Sequence, residues 1–450
     1  MLADADRVLA GLRAEQPTLT RWWVAYSGGC DSHVLLHWLA RQRDRLSGCR
    51  LAVVHVNHGL HPDAEHWAVH CRQVCDALAL PLTVFEVDAR PGDGISPEAA
   101  ARTARYQALI SLLDKHSVVL TAHHQRDQAE TLLLQLLRGA GPQGLAAMPV
   151  STRLAVGRLW RPLLNLSQQQ LRGYADYHQL NWIDDPSNAE TQADRNYLRH
   201  EILPRLTARW PAAETTLARS ARWCGEAMML TDTLATADLD QCREPAPDQL
   251  NITGLQQLDD RRRRNALRYW LRSLTIPLPD ENRLQRIVVE AVDSADDRQP
   301  LIGWAGYELR RFGGRLYVLK ALPDFKSDPV CWSEPDRPLT VPGIGQLMLV
   351  SQIEGPRLDI ACVRSARLSI RFRQGGEQFR PVGDRHSRSL KKWLQTAKIP
   401  PWQRNRLPLL YLDDTLAAVA DRVIDSRFAA SDDQPGWVLQ WQKAPASGIF

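Results

Sequence analysis

Val24–Leu36 reads VAYSGGCDSHVLL, and this stretch decides the fold. An apolar run led by Trp22 and Trp23 breaks into Ser-Gly-Gly-Cys-Asp-Ser and resumes as Val34-Leu35-Leu36, the pattern of a strand, a tight loop and a helix. Successive backbone N–H groups of such a loop, opening onto a helix N-terminus, form a nest for anionic oxygens. Gly28 and Gly29 allow close approach, and Ser27 and Ser32 add hydroxyl donors. A Walker-type loop requires G-x-x-x-x-G-K-[ST], and the chain has no Gly-Lys pair. Phosphate would therefore be bound here without that lysine.

Around the loop the chain alternates. Candidate strands WWVAY (22–26), RLAVVHVNH (50–58), LTVFEVD (82–88) and SVVLTAHH (117–124) are separated by candidate helices at 32–43, 64–79, 97–115 and 125–138. Four βα units with nearly continuous apolar strands predict an α/β fold: a doubly wound, mainly parallel, Rossmann-like sheet with its ligand at the carboxyl ends of the strands. From about Trp210 helical patterns take over, in 213–234, 255–274 and 281–292, followed by LIGWAGYELRRFGGRLYVLK (301–320), read as a hairpin turning at Gly313-Gly314. The Pro- and Asp-bearing stretch 323–342 predicts a linker. RLSIRFR (367–373) and SRSLKKWLQTAKI (387–399) then predict a small α+β domain. The expected division is 1–208, 209–322 (mainly helical) and 340–450.

Composition narrows the function. Hydrophobic residues make up 44% of the 450, enough for a sizeable core, and the net charge of +5 is unevenly spread. Val363–Leu407 holds nine Arg and three Lys against Glu377 and Asp384, a local +10 that leaves −5 for the remainder. Such a stretch, interleaved with Phe372, Phe379, Trp393 and Trp402, suits RNA: cations neutralise phosphates and rings stack on exposed bases, although most of these rings fit the core of a small domain equally well. Eight scattered cysteines without any C-x-x-C argue against zinc, an iron–sulfur cluster or a disulfide framework. No apolar run approaches the roughly 18 residues of a membrane span, so a soluble cytoplasmic protein is expected.

A second signal is TAHHQRDQAETLLLQLLRG (121–139). On a helix, Asp127 and Glu130 share one face, with Ala129, Leu132, Leu133 and Leu136 as the buried stripe. Two carboxylates at the mouth of a parallel sheet suit an ammonium or Mg²⁺; acidic residues also favour a first helical turn through its dipole. Gly139, Gly141 and Gly144 satisfy G-x-G-x-x-G but follow a helix rather than a strand, so the dinucleotide context is missing, and Gly139 reads as a helix-terminating glycine. His55, His58 and His61 are read as structural or adenosine-adjacent rather than as metal ligands. Asp259–Arg264 (DDRRRR) reads as a solvated helix face with Ala266, Leu267, Trp270 and Leu271 behind it.

S-G-G-x-D-S between strand and helix resembles the PP-loop of the N-type ATP pyrophosphatases, which open ATP between its α and β phosphates. The resemblance implies that Ser27, Gly28, Gly29, Cys30, Asp31 and Ser32 bind ATP, with Asp31 helping to hold Mg²⁺. His123–Thr131 resembles the H-H-x-D-D-Q-A-E-T motif of one PP-loop family, the tRNA(Ile)-lysidine synthetases, with Arg126 in place of the first aspartate. VVHVNHGLH (53–61), EAAARTARYQAL (98–109), WRPLL (160–164), DDPSNAETQADRNYLRHEILP (184–204) and the basic region 372–411 extend the likeness to all three expected domains, matching the long form of the family.

That resemblance implies ATP-dependent ligation of L-lysine to C2 of the wobble cytidine in the CAU-anticodon isoleucine tRNA, through an adenylated tRNA, with release of pyrophosphate and AMP. Catalytic roles fall on Asp31, Asp127 and Glu130. Asp127 and Glu130 recognise lysine, one of them taking its proton or merely positioning it. Arg102 and Arg105 contact ATP; Arg195, Arg380, Lys391 and Lys392 contact tRNA; a homodimer is also implied. The competing readings are a PP-loop tRNA thiolase, against which the missing C-x-x-C counts, and a non-catalytic tRNA-binding relative, which Arg126 favours.

Overall fold

The computed structural model describes the chain apart from residues 1, 47, 60, 91–96, 187–192, 296–297, 324, 326–327, 432 and 444–450. The described residues form two compact units, Met1–Thr231 and Asp232–Phe450. In the first, α1 (Ala3–Glu15) precedes β1 (Arg21–Ala25), α2 (Cys30–Arg41), β2 (Arg50–Asn57), α3 (Ala64–Ala77), β3 (Leu82–Glu86), α4 (Pro97–Ser111), β4 (Ser117–Leu120) and α5 (Gln125–Leu137). There follow α6 (Pro142–Leu145), β5 (Ser151–Leu154), β6 (Gly157–Trp160), α7 (Gln168–Tyr177), α8 (Asp194–Tyr197), a π-helical turn (Leu198–Ile202), α9 (Leu203–Arg209) and α10 (Ala213–Asp240), within which the division between the units falls.

The sheet runs β3-β2-β1-β4-β6-β5, parallel except for the edge strand β5. Strand side chains alternate between two covered faces. Trp22 and Val24 point into a core with α1, α2 and α7, while Trp23 and Ala25 pack with Val54, Leu109, Val119 and Leu159 on the other side. Trp22 meets Trp160 edge-on at 5.3 Å. Each fully buried large aliphatic or aromatic side chain contributes roughly 1.5–3 kcal/mol, so apolar burial on both faces holds the strand ends rigidly. From β1 the chain winds outward through β2 to β3, then crosses back to lay β4 on the other side of β1. The switch between β1 and β4 opens a crevice at their carboxyl ends, where open α/β sheets bind ligands. Both sequence signals leave the sheet there.

Three expectations change at this level. The expected strand through His124 ends at Leu120, so Thr121–His124 leave the ladder and are free to shape the crevice. The helix expected from Ser32 starts at Cys30, placing Asp31 and Ser32 in its first turn. The β5–β6 hairpin was not anticipated, because its turn is Ala155-Val156, with Ala155 at φ +50° where a Gly or Asn would have signalled it.

The second unit starts with β7 (Gln249–Asn251), α11 (Ile252–Gln256), α12 (Asp260–Ser273), α13 (Glu281–Arg286), a π-helical turn (Ile287–Val292), β8 (Leu301–Trp304), β9 (Tyr307–Phe312) and β10 (Arg315–Lys320). Its antiparallel sheet, β7-β10-β9-β8, packs on these helices. The β9–β10 turn at Gly313-Gly314 is as expected, both glycines at positive φ; a second turn at Ala305-Gly306 makes this stretch a three-stranded meander. Arg263 is not solvated: it is buried and donates to the carbonyls of Leu255 and Leu258 and to Asp293, bracing the region from inside.

Further on come β11 (Val330–Cys331), β12 (Leu339–Val341), β13 (Gly345–Gln352), β14 (Leu358–Asp359), α14 (Ile360–Ser365), β15 (Leu368–Arg371), β16 (Gln378–Phe379), β17 (Arg388–Ser389), α15 (Leu390–Thr396), α16 (Pro401–Arg404), β18 (Leu409–Leu412), β19 (Thr415–Val419), β20 (Val423–Ile424) and β21 (Gly436–Lys443). Sheets β11-β15-β18-β19-β20 and β12-β13-β21-β14 enclose a common core. The expected linker is therefore partly folded structure. β11 pairs with β15, β12 with β13, and Trp332 is buried, its indole N–H shared by the carbonyls of Glu334 and Arg337.

Candidate active site

The loop after β1 is tight because its serines bond inward. Ser27 Oγ and Ser32 Oγ are 3.0 Å apart, Ser32 Oγ donates to the Gly29 carbonyl (2.9 Å), and the Ser27 N–H donates back to Ser32 Oγ (3.2 Å). The hydroxyls expected as ligand donors thus also brace the loop. Gly28 sits at φ +90°, and a Cβ there would lie 2.7 Å from Ile183 Cδ1 and 3.3 Å from Cys71 Sγ. The N–H of Ile183 donates to the Gly28 carbonyl (3.0 Å), clamping the turn from behind. Gly29 caps α2, so the N–H groups of Cys30, Asp31 and Ser32 lie in the first turn, where no intrahelical acceptor exists. Burial, with Asp31 adjoining, pushes the Cys30 thiol up to about 12, so it is no nucleophile.

The second signal forms the N-terminus of α5. His124 caps it: Nδ1 accepts from the Arg126 N–H (3.2 Å), and the His124 N–H donates to Asp127 Oδ2 (2.9 Å), a reciprocal capping box. In the neutral ring Nδ1 accepts and the proton is on Nε2, which lies 3.4 Å from Asp31 Oδ2 and 3.6 Å from Asp127 Oδ2. This histidine joins the phosphate loop to the paired carboxylates. Burial opposes its charge, but the bond to Asp31 and the charges of Asp127, Asp31 and Glu130 raise its pKa overall. His123 is the opposite case. Burial brings it down to about 3, with Asp127 opposing and Arg161, Arg195 and Arg102 reinforcing, so it is neutral, its Nδ1 2.8 Å from Thr121 Oγ1.

Asp127 and Glu130 do share one face, and two arginines lie across them. Arg195 Nε meets Glu130 Oε2 at 2.6 Å and its Nη2 meets Asp127 Oδ1 at 2.8 Å; Arg199 Nε meets Glu130 Oε1 at 2.7 Å. The Glu130 side chain is 0% exposed and that of Asp127 12%. Burial alone would raise Asp127, but the charges of His124 and Arg195 hold its carboxyl down at about 2. Arg195, expected at tRNA, is thus found on the carboxylates. Arg199 was missed, although its spacing of four from Arg195 would place both on one helical face. Arg126 turns away from its neighbour Asp127, and its Nε donates to Glu214 Oε1 at 2.7 Å.

The other candidates are distributed. Arg102 lies over the Tyr106 ring at 5.0 Å while its charge reaches His123; Arg105 Nη2 is 3.3 Å from His58 Nε2. His55 is buried under the loop, its Nδ1 2.9 Å from the Tyr26 carbonyl, and His61 stacks on Trp67, so the three histidines face different partners. Residues 187–192 of the stretch 184–204 lie outside the described residues. In the second unit Arg380 is anchored by its N–H to Asp425 Oδ2 (2.9 Å) and its Nε to Ser426 Oγ (2.5 Å), while Lys391 and Lys392 are exposed on α15. Lys392 lines an open concavity with Arg385, His386 and Arg388. Phe372 and Phe379 are buried in the core, Trp393 packs on Phe379, and Trp402 packs against Tyr317 and Arg310.

Comparison with known proteins matches three stretches to family models: a PP-loop domain over residues 3–206, a TilS substrate binding domain over 250–317 and a TilS substrate C-terminal domain over 368–441. The chain is 40% identical to the tRNA(Ile)-lysidine synthase of Coxiella burnetii, covering 93% of this chain and 92% of that protein. It is 41% identical to that of Methylococcus capsulatus (93% and 95% covered) and 43% identical to that of Pseudomonas aeruginosa (93% and 93%). No helix among the described residues is long and apolar enough to cross a membrane.

Proposed function

The chain belongs to the tRNA(Ile)-lysidine synthase family, and from that premise we propose that it ligates L-lysine to C2 of the wobble cytidine of the CAU-anticodon isoleucine tRNA, consuming ATP. The observation that carries this reading is His124 bridging Asp31 of the phosphate loop and Asp127 of the carboxylate pair, which makes one site of two motifs. In the first step the cytidine O2 attacks the α-phosphorus of ATP and pyrophosphate leaves. In the second the lysine ε-amine, its ammonium proton released to water, attacks C2, and the C2–O bond breaks as AMP leaves. Adenylation turns a poor leaving oxygen into a good one. The N–H groups of Cys30, Asp31 and Ser32 face the phosphates and stabilise the charge that develops on the departing pyrophosphate. The target base has to leave its stack to reach the crevice.

Asp31, partly exposed beside the phosphate nest, is the residue that would hold Mg²⁺, an ion that takes one or two protein carboxylates and completes its shell with phosphate and water. When bound, that ion supplies charge neutralisation at the phosphates. Asp127 is the more accessible carboxylate and stays ionised, so it anchors the lysine ammonium rather than taking its proton. Glu130 lies behind it and keeps Arg195 and Arg199 in register. The ammonium reaches Asp127 by displacing one of these guanidiniums. Arg102 and Arg105 serve ATP. Residues 1–208 are the catalytic domain, while 209–322 and 340–450 grip the tRNA, with Arg380, Lys391 and Lys392 on its phosphates; the working form is a cytoplasmic homodimer.

The test supplies ATP, Mg²⁺, labelled lysine and purified tRNA and follows pyrophosphate release and tRNA nucleosides. Label in the wobble nucleoside is expected. No label in tRNA, or equal labelling after the wobble cytidine is changed, would overturn the proposal. Replacing Lys391 and Lys392 together with alanine should weaken tRNA binding and lower the slope of log affinity against log salt by about 1–2. A salt titration with an unchanged slope would place the RNA surface elsewhere.

A further inference from the structure

Arg126 and Glu130 are one helical turn apart on α5, the i,i+4 spacing at which an arginine and a carboxylate ordinarily meet. They do not meet. The Arg126 Nε is 2.7 Å from Glu214 Oε1 in the first turn of α10, and the neighbouring Thr215 Oγ1 donates to Gln125 Oε1 at 3.0 Å. The pair is largely enclosed, with side chains 29% and 14% exposed. A cation in the first turn of α5 opposes the helix dipole, so without an outside partner Arg126 is drawn back toward the nearest acids. Those are Asp127, its chain neighbour, and Glu130.

We propose that Glu214 is a specificity-determining positioning residue: it holds the Arg126 guanidinium out of the ammonium subsite, which would otherwise be contested by a third built-in cation. This rests on the reading of Asp127 as the lysine anchor. Glu214 touches neither substrate nor reacting atoms; it acts through Arg126. Neutralising Glu214 frees a guanidinium one helical turn from Glu130, where it competes with the lysine ammonium for the Asp127–Glu130 carboxylate pair, whereas removing Arg126 frees nothing that competes.

Glu214→Gln should therefore raise the KM for lysine about tenfold, the loss of one charge-assisted contact's worth of binding, with the KM for ATP and tRNA-dependent pyrophosphate release unchanged. Arg126→Ala should leave the lysine KM near wild type, and adding it to Glu214→Gln should bring that KM back. A purely structural role for the pair predicts the reverse, with both single variants impaired alike and the double variant no better. The proposal is overturned if Glu214→Gln leaves the lysine KM unaltered or if Arg126→Ala fails to suppress it; thermal unfolding and pyrophosphate release report whether each variant is folded. Asp127→Asn separates the two levels. If it leaves the lysine KM unchanged, the anchor assignment fails; if it raises the KM while Glu214→Gln does not, only the role of Glu214 fails.

Discussion

Asp31→Ala is expected to lower ATP-dependent pyrophosphate release by about 10²–10³, the range seen when one element of charge stabilisation at a developing anion is removed, while tRNA affinity stays at its wild-type value. Asp31 lies in the first turn of α2, next to the loop N–H groups, and its Oδ2 faces His124 Nε2 at 3.4 Å. Alanine therefore removes both the carboxylate that would hold Mg²⁺ and the acceptor opposite His124. The loop itself should survive, because Ser27, Ser32, Gly29 and Ile183 hold it without any contribution from Asp31. A coupled pyrophosphate assay with and without tRNA, beside a filter-binding titration, reads the two quantities separately. Pyrophosphate release within a few-fold of wild type would remove Asp31 from the chemistry, and a parallel loss of tRNA binding would mean the substitution had damaged the fold.

The parallel sheet was legible because its strands are nearly continuous apolar runs and the loop between β1 and α2 is written in residues that few other structures need. Local motifs survive translation into structure well: S-G-G-x-D-S lies at the switch point, and Asp127 and Glu130 share a face because a helix repeats every 3.6 residues. What sequence could not display was partnership across the chain. Arg195 is 65 residues from Glu130 and Glu214 is 88 from Arg126, and no local pattern encodes which guanidinium reaches which carboxylate. For the same reason DDRRRR looked solvated although Arg263 is internal, since the carbonyls it serves belong to the end of another helix. Turns built from Ala155 and Ala305 at positive φ hid two hairpins, and Pro and Asp in 323–342 disguised a segment whose Trp332 is core.

The carboxylate pair also has a cost in stability that can be measured apart from catalysis. Glu130 is 0% exposed and both of its oxygens are bonded, to Arg195 Nε at 2.6 Å and to Arg199 Nε at 2.7 Å with Arg199 Nη2 at 3.0 Å. Glu130→Gln keeps the shape but leaves two enclosed guanidiniums facing a neutral amide, and removing one member of a buried ionic cluster typically costs about 3–5 kcal/mol. A drop of that size in the free energy of unfolding should appear as a lower urea midpoint. Asp127→Asn should cost less, since Asp127 keeps some solvent and one of its oxygens serves a backbone N–H that an amide oxygen can still accept. Adding Arg199→Met to Glu130→Gln should recover part of the loss by removing the cation left with only a 3.4 Å contact to Asp127 and leaving an apolar chain of similar length. A Glu130→Gln midpoint equal to wild type would mean that Asp127 and water, not Glu130, compensate the charges of Arg195 and Arg199. A double variant less stable than Glu130→Gln alone would mean that Arg199 is held by packing rather than by its charge.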